Sequence, residues 1–332
     1  MRFGPVPLEE ALGAILAHSV ALPSGRLRKG AHLGAEQIAA LAAAGLDTVT
    51  VARLDAGDLQ ENEAAARLAR ALAGPGLDVT EAFTGRANLV ARGPGVVEVD
   101  AAAIRAVNAI DPMITVATLP EWQRVAAGTM AATVKIISYA VPGVAMDAAC
   151  AAAGQGAMRL SPPVIDRAEL IVTTLPRAPS GAEAVVARLE RLGVACTLLT
   201  VPHEAGAVAR ALSGGNAPLR LILTASATSD VRDVAPAALV AAGGEVERFG
   251  MPVDPGNLLF TGRLGAARVI GLPGCARAPA LNGADWVLER TICGVPVTPQ
   301  DIAGMGVGGL LKEIPTRPQP RERRPVGPPA TT

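Results

Sequence analysis

Leu221-Ile-Leu-Thr-Ala-Ser-Ala-Thr-Ser-Asp-Val-Arg-Asp233 holds the pattern from which the architecture of the chain's second half is read. An apolar run beginning at Leu219 passes into small residues, then paired charges, then a helical stretch. Asp233 is a natural N-cap for that helix. The same order repeats on either side. Apolar strands are predicted at 169–173, 194–201, 219–224, 245–249 and 268–272. Helices are predicted at 182–192, 205–212 and 233–242, with Gly193 and Gly243-Gly244 as stops. Strands and helices that alternate through short loops predict an α/β fold with a doubly wound, mostly parallel sheet. Ligands of such sheets sit at the carboxyl ends of the strands. The segments 224–233 and 273–277 fall at that edge.

The remainder of the chain divides by texture. Residues 1–83 read as a small α/β subdomain, with helical spacing at 8–17, 35–44 and 58–72 and a strand at 49–54. Residues 84–165 read as a mixed-β subdomain, with short β-like runs at 88–91, 96–99, 114–118 and 130–137 and a helix at 101–108. The α/β domain is expected over 166–292. Residues 293–332 form a C-terminal extension whose Pro- and Arg-rich tail, from Glu313, has no periodicity and is expected to be extended or disordered.

Composition excludes several classes. The chain has 332 residues, enough for two or three domains. Mean hydropathy is high at +0.35, but much of it is alanine. The apolar stretch 136–146 is shorter than the roughly 18 residues a spanning helix needs, and Pro142 and Gly143 interrupt it. Glu9 and Glu10 stand where a signal peptide needs an apolar core, so the expected location is cytoplasmic. Thirty basic residues balance 30 acidic ones, and aromatics are 2% of the chain, which argues against a nucleic-acid partner. Cys150, Cys196, Cys275 and Cys293 form no C-x-x-C pair, and the chain has three histidines, so no zinc site is expected. Cys150 and Cys196 read as core thiols in a reducing compartment.

Three loops carry the chemistry. In the first, Thr224, Ala225, Ser226, Ala227, Thr228, Ser229 and Asp230 are small or oxygen-bearing, leaving backbone N–H groups accessible. Arg232 and Asp233 then open a helix, whose N-terminus favours an anion. The second loop is Pro255-Gly256-Asn257. The third is Pro273-Gly274-Cys275-Ala276-Arg277, in which Arg277 suits a bidentate grip on phosphate or carboxylate. The bland alternatives are that Asp233 is only a cap, Arg232 a surface charge, Cys275 a small residue in a tight turn, and the Gly/Pro loops plain turns.

The stretch Gly250–Leu264 (GMPVDPGNLLFTGRL) with Ala267–Trp286 (ARVIGLPGCARAPALNGADW) resembles the molybdopterin-binding domain of the molybdopterin molybdotransferase and gephyrin family. That family has a Pro-Gly-Lys-Pro loop, a strand, and then Gly-Leu-Pro-Gly-Asn-Pro. Leu223–Asp233 (LTASATSDVRD) is similar to its Thr-Gly-Gly-type loop ending in an acid, shared with small Mog-type relatives. The segments 3–20, 26–30, 117–122 and 128–137 are similar to the opening of bacterial molybdopterin-binding proteins, some of them fused to a cytidylyltransferase-type domain. The resemblance runs to about Gln319. It implies molybdenum-cofactor biosynthesis, molybdopterin or Mo-molybdopterin as ligand, a nucleotidyltransferase partner and a homo-oligomer.

The departures are equally specific. Thr173-Thr-Leu-Pro-Arg177 stands where the family has Gly-Asp-Glu, and no Asp-Ser-Asn segment follows around Ser180. Asn257 replaces the lysine of Pro-Gly-Lys-Pro. The family's acids are expected to hold Mg²⁺ during molybdate insertion. Here Asp230 and Asp233 are the candidate catalytic acids, with Asp233 the candidate Mg²⁺ ligand. The leading reading is a molybdopterin-binding module that presents its ligand to a nucleotidyltransferase. The alternatives are a divergent Mg²⁺-dependent molybdotransferase and a structural or regulatory protein that has lost the ligand.

Overall fold

The computed structural model describes residues 1–23, 25–176 and 181–311. The expected Pro/Arg-rich tail, with Arg177 and Ser180 of the departures above, lies outside them. The chain is mixed α/β with several sheets, and it divides into two units, Met1–Val164 and Ile165–Thr332. Among the described residues no helix is long and apolar enough to cross a membrane.

In the first unit, strand Thr48–Arg53 pairs antiparallel with Arg2–Pro7 on one side and Ile15–Leu16 on the other. The 8–17 segment, expected as a helix, is a 3₁₀ turn at Leu8–Glu10 followed by that short strand. Gly13 adopts φ of +79°, and Ile15 and Leu16 pair with Ala52 and Val51. Sheet pairing and a buried cluster of Leu8, Leu16, Leu33, Leu41 and Val51 override the local helical spacing. The expected 58–72 helix likewise gives up its first residues to strand Asp58–Gln60 before helix Glu61–Leu72. A larger core joins that helix with Ala101–Asn108, Gly143–Ala153 and the strands Arg86–Ala91, Gly95–Val99, Ile114–Thr118 and Met130–Ile136.

The second unit is built on a six-stranded sheet. Its order is Ala195–Pro202, Arg167–Thr174, Leu219–Leu223, Ala267–Leu272, Phe260–Leu264, Glu245–Phe249. The first four strands are parallel; Phe260–Leu264 runs against them, and Glu245–Phe249, paired antiparallel with it, runs with them. All five residues of Leu219–Leu223 are buried, as a near-continuous apolar run in a central parallel strand requires. Strand Phe260–Leu264 is not foreseen by the sequence reading. It folds back on Ala267–Leu272 through a two-residue turn, with Gly265 at φ of +59°. Phe260 sits opposite Gly271, and a Cβ built on that glycine would lie 1.8 Å from the ring. The aromatic ring therefore occupies the volume of a side chain that Gly271 lacks.

Helices Ala205–Gly214 and Val234–Ala241 share a core with alternate strand residues Ile171, Ile222, Val269 and Phe260. Helices Ala182–Glu190 and Gly283–Ile292 are joined by a buried ion pair, Arg188 with Asp285. From Arg167–Thr174 the chain first adds Ala195–Pro202 on one side, then returns to add Leu219–Leu223 on the other. This reversal of direction makes the carboxyl ends of these strands a topological switch point, where open α/β sheets bind ligands.

Candidate functional site

All three loops named from the sequence lie at the carboxyl edge of the four parallel strands. The first follows Leu219–Leu223, the third follows Ala267–Leu272, and the second enters Phe260–Leu264, which runs the opposite way.

The first loop is tied together by its own hydroxyls. Thr224 Oγ1 donates to the Ser226 carbonyl at 2.7 Å and lies 3.2 Å from Thr228 Oγ1. Thr224 has one proton, already directed at that carbonyl, so Thr228 is the donor between the two hydroxyls. Both threonines are buried, whereas Ser226, Ala227, Ser229 and Asp230 are exposed. Asp233 caps its helix: Oδ1 accepts Val234 N–H at 2.8 Å and Oδ2 accepts Ser229 N–H at 3.1 Å. Asp230 turns to Arg232. Its Oδ1 accepts the Arg232 backbone N–H at 2.8 Å and Nε at 3.1 Å, and these two bonds hold its carboxyl below the ordinary range. The Arg232 side chain is 88% exposed, so this pair sits in water.

The third loop reaches into the first. Gly274–Arg277 is a 3₁₀ turn, and Arg277 donates from Nη2 to the Thr224 carbonyl at 3.0 Å. Burial pulls the Arg277 pKa below its ordinary value and pushes the Cys275 thiol up. Cys275 is half-buried, as are Cys150 and Cys196, whose thiols burial also raises; all four cysteines are free. The turn is held from beneath by Arg188, a residue the sequence reading passes over. Its Nη1 donates to the Ala276 carbonyl at 2.9 Å. Its Nη2 donates to the carbonyls of Ala278 at 2.8 Å and Ala280 at 3.0 Å. Its Nε meets Asp285 in the buried ion pair. Asp285 Oδ2 in turn accepts Asn282 N–H at 2.8 Å, closing the cap of helix Gly283–Ile292.

The second loop packs against that same helix start. Gly283 N–H donates to the Pro255 carbonyl at 2.8 Å, and Met251 N–H to the Asn257 carbonyl at 3.0 Å. Gly256 adopts φ of +143°, and a Cβ there would lie 2.7 Å from Gly283 N. Only a glycine lets the two backbones approach so closely. Asp254 is engaged through its backbone with Gly309 and Leu311. Its side chain joins neither Asp230 nor Asp233.

The structure adds two residues at the switch point. Thr173, fully enclosed, accepts Ala225 N–H on Oγ1 at 2.7 Å. The same oxygen lies 2.9 Å from His203 Nδ1, and His203 Nε2 lies 2.8 Å from Ser226 Oγ. Three consecutive parallel strands thus contribute to one line of polar side chains. Thr173 is the last residue but one of strand Arg167–Thr174, and His203 follows the strand Ala195–Pro202 directly.

As a Mg²⁺ site the acids fit poorly. Both Asp233 oxygens are taken by backbone N–H groups and Asp230 Oδ1 by Arg232. Among the described residues no group of three His, Cys, Asp or Glu side chains is placed to hold a metal.

Residues 5–53 match a domain family of unknown function (DUF8806). No curated protein matches the chain. Among solved structures, the molybdopterin biosynthesis MoeA protein from Pyrococcus horikosii is similar at 12% identity and a TM-score of 0.29, over 92% of this chain and 76% of that one.

Proposed function

We propose that the second unit is a doubly wound molybdopterin-binding domain and that the chain serves molybdenum-cofactor biosynthesis. It binds molybdopterin or Mo-molybdopterin and presents it, as a cytoplasmic homo-oligomer, to a nucleotidyltransferase. The observation that carries this reading is the bond from Arg277 to the Thr224 carbonyl. It joins two of the three loops that resemble pterin-binding motifs, at the edge where such sheets bind ligands. Arg277 and the exposed Arg232 supply positive charge for a phosphate, Ser226 a hydroxyl, and the small residues Ala225 and Ala227 leave the backbone open to a flat heterocycle.

Binding is preferred to catalysis because of what the acids do. In the molybdotransferase alternative Asp230 and Asp233 would have to release their present partners to serve a cation, and no step through Mg²⁺ is derived from this arrangement. Calorimetry of the full chain with purified molybdopterin tests the proposal. The expected result is saturable binding that Arg277→Ala weakens by at least about tenfold, the size of one charge-assisted hydrogen bond. No binding heat across a fluorescence-verified pterin titration would reject it. Release of AMP from adenylated molybdopterin on adding molybdate would instead favour the transferase.

A further inference from the structure

We infer that Thr173 and His203 are positioning residues that fix Ser226 as a hydrogen-bond donor, its hydroxyl proton aimed out of the carboxyl edge toward an anionic oxygen of the phosphate class. The inference deepens the proposed pterin-phosphate site and rests on that reading only for the identity of the ligand.

The direction of each proton follows from counting. Thr173 Oγ1 accepts Ala225 N–H at 2.7 Å, and the residue is 0% exposed. Its own proton cannot go to water and needs an acceptor. Among the described residues the acceptor in reach is His203 Nδ1 at 2.9 Å. A neutral imidazole whose Nδ1 accepts carries its proton on Nε2. That proton points at Ser226 Oγ, 2.8 Å away, and the serine oxygen accepts it. The serine's own proton is then directed away from the histidine. Ser226 is exposed, so away from the histidine means toward solvent or a bound group. The backbone of Ser226 is fixed as well, because its carbonyl accepts from Thr224 Oγ1 at 2.7 Å. Donor and backbone are both set before a ligand arrives, which lowers the ordering cost of binding.

The opposite arrangement would make a different protein. With the proton on Nδ1, Nε2 would accept from Ser226, and the serine would be a base-activated nucleophile. The enclosed Thr173 hydroxyl would then be left without an acceptor, a cost of the kind that buried polar groups avoid. The geometry favours a serine that donates over one that attacks.

Nitrogen NMR of His203 in the full chain reads the tautomer directly, and a titration with inorganic phosphate reads the donor. The expected result is a single tautomer protonated at Nε2, with saturable phosphate binding. Ser226→Ala should weaken phosphate about tenfold with the His203 signature intact. Thr173→Val should mix the two tautomers and weaken phosphate by a similar factor, and Thr173→Ser should restore both. A Nδ1-protonated His203 in the unaltered protein would overturn the inference, as would absence of phosphate binding or unchanged affinity in Ser226→Ala. Phosphate binding with the predicted tautomer but no affinity for molybdopterin would leave this inference standing and remove the pterin reading alone.

Discussion

The two ends of the six-stranded sheet use polar side chains in opposite ways. At the amino end, Glu169 and Arg220 face each other on neighbouring strands, with side chains only 11% and 10% exposed. Glu169 Oε1 accepts backbone N–H groups of Asn216 at 3.0 Å and Ala217 at 3.3 Å. Arg220 donates to the carbonyls of Leu212 and Gly215. Those partners lie in the last turn of helix Ala205–Gly214 and in the loop that joins it to strand Leu219–Leu223, so the charges clamp the chain to itself. At the carboxyl end the line runs from enclosed Thr173 through half-exposed His203 to exposed Ser226. Its last member faces outward. Burial of a charge alone does not mark a functional group; where the hydrogen bonds terminate does.

Arg188 is the exception that sharpens this contrast, since it is a dry charge working beneath the carboxyl edge. Arg188→Met would leave Asp285 uncompensated and release the carbonyls of Ala276, Ala278 and Ala280. A loss of about 3–5 kcal/mol in urea unfolding is expected. A loss below about 1 kcal/mol would mean that the Pro273–Arg277 turn supports itself. Glu169→Gln keeps an acceptor for Asn216 and Ala217 but removes the charge opposite Arg220. It should cost about 1–3 kcal/mol in the same measurement, with phosphate affinity at the other end unchanged. If affinity fell with stability, the two ends would not be separable. The smallest expected effect concerns Cys275. Burial disfavours its thiolate, so its folded pKa stands above the ordinary 9.0. Alkylation proceeds through the thiolate. Labelling by iodoacetamide, followed by mass spectrometry, should therefore be slow near neutral pH and accelerate only at pH above that of an ordinary thiol. Rapid labelling at pH 7 would place Cys275 among reactive groups of the edge.

The α/β alternation of the second unit was legible because its signals are local. Leu219–Leu223 is apolar but for Arg220 and Asp233 is followed by helix-forming residues, so strand, loop and cap read directly from the sequence. The antiparallel hairpin was not legible, since Leu264-Gly-Ala-Ala267 lacks the Asn-Gly or Asp-Gly pair that announces such turns. In the first unit, helical spacing over 8–17 lost to pairing with a strand some 35 residues away. The three candidate loops were found through motif resemblance, but their internal bonding was not. Thr228, named as a ligand contact, is buried with its hydroxyl 3.2 Å from Thr224 Oγ1. His203 escaped because a lone histidine carries no signal until strand register is known. Thr173 lies opposite Val201, two residues before the histidine, and only that parallel register brings the imidazole between Thr173 and Ser226. Arg188 escaped for a similar reason. It stands between Ala187 and Leu189 on a short helix, and its partner Asp285 is 97 residues further along.

The filling of Gly271's missing side chain by the Phe260 ring also governs how this sheet can vary. A methyl at 271 alone would fall inside the ring, and a smaller residue at 260 alone would leave an apolar void over the glycine. The two positions behave as one unit of sequence change. A library randomised at either position singly should return the present residue, whereas one randomised at both should return pairs of matched total volume, a larger residue at 271 always with a smaller one at 260.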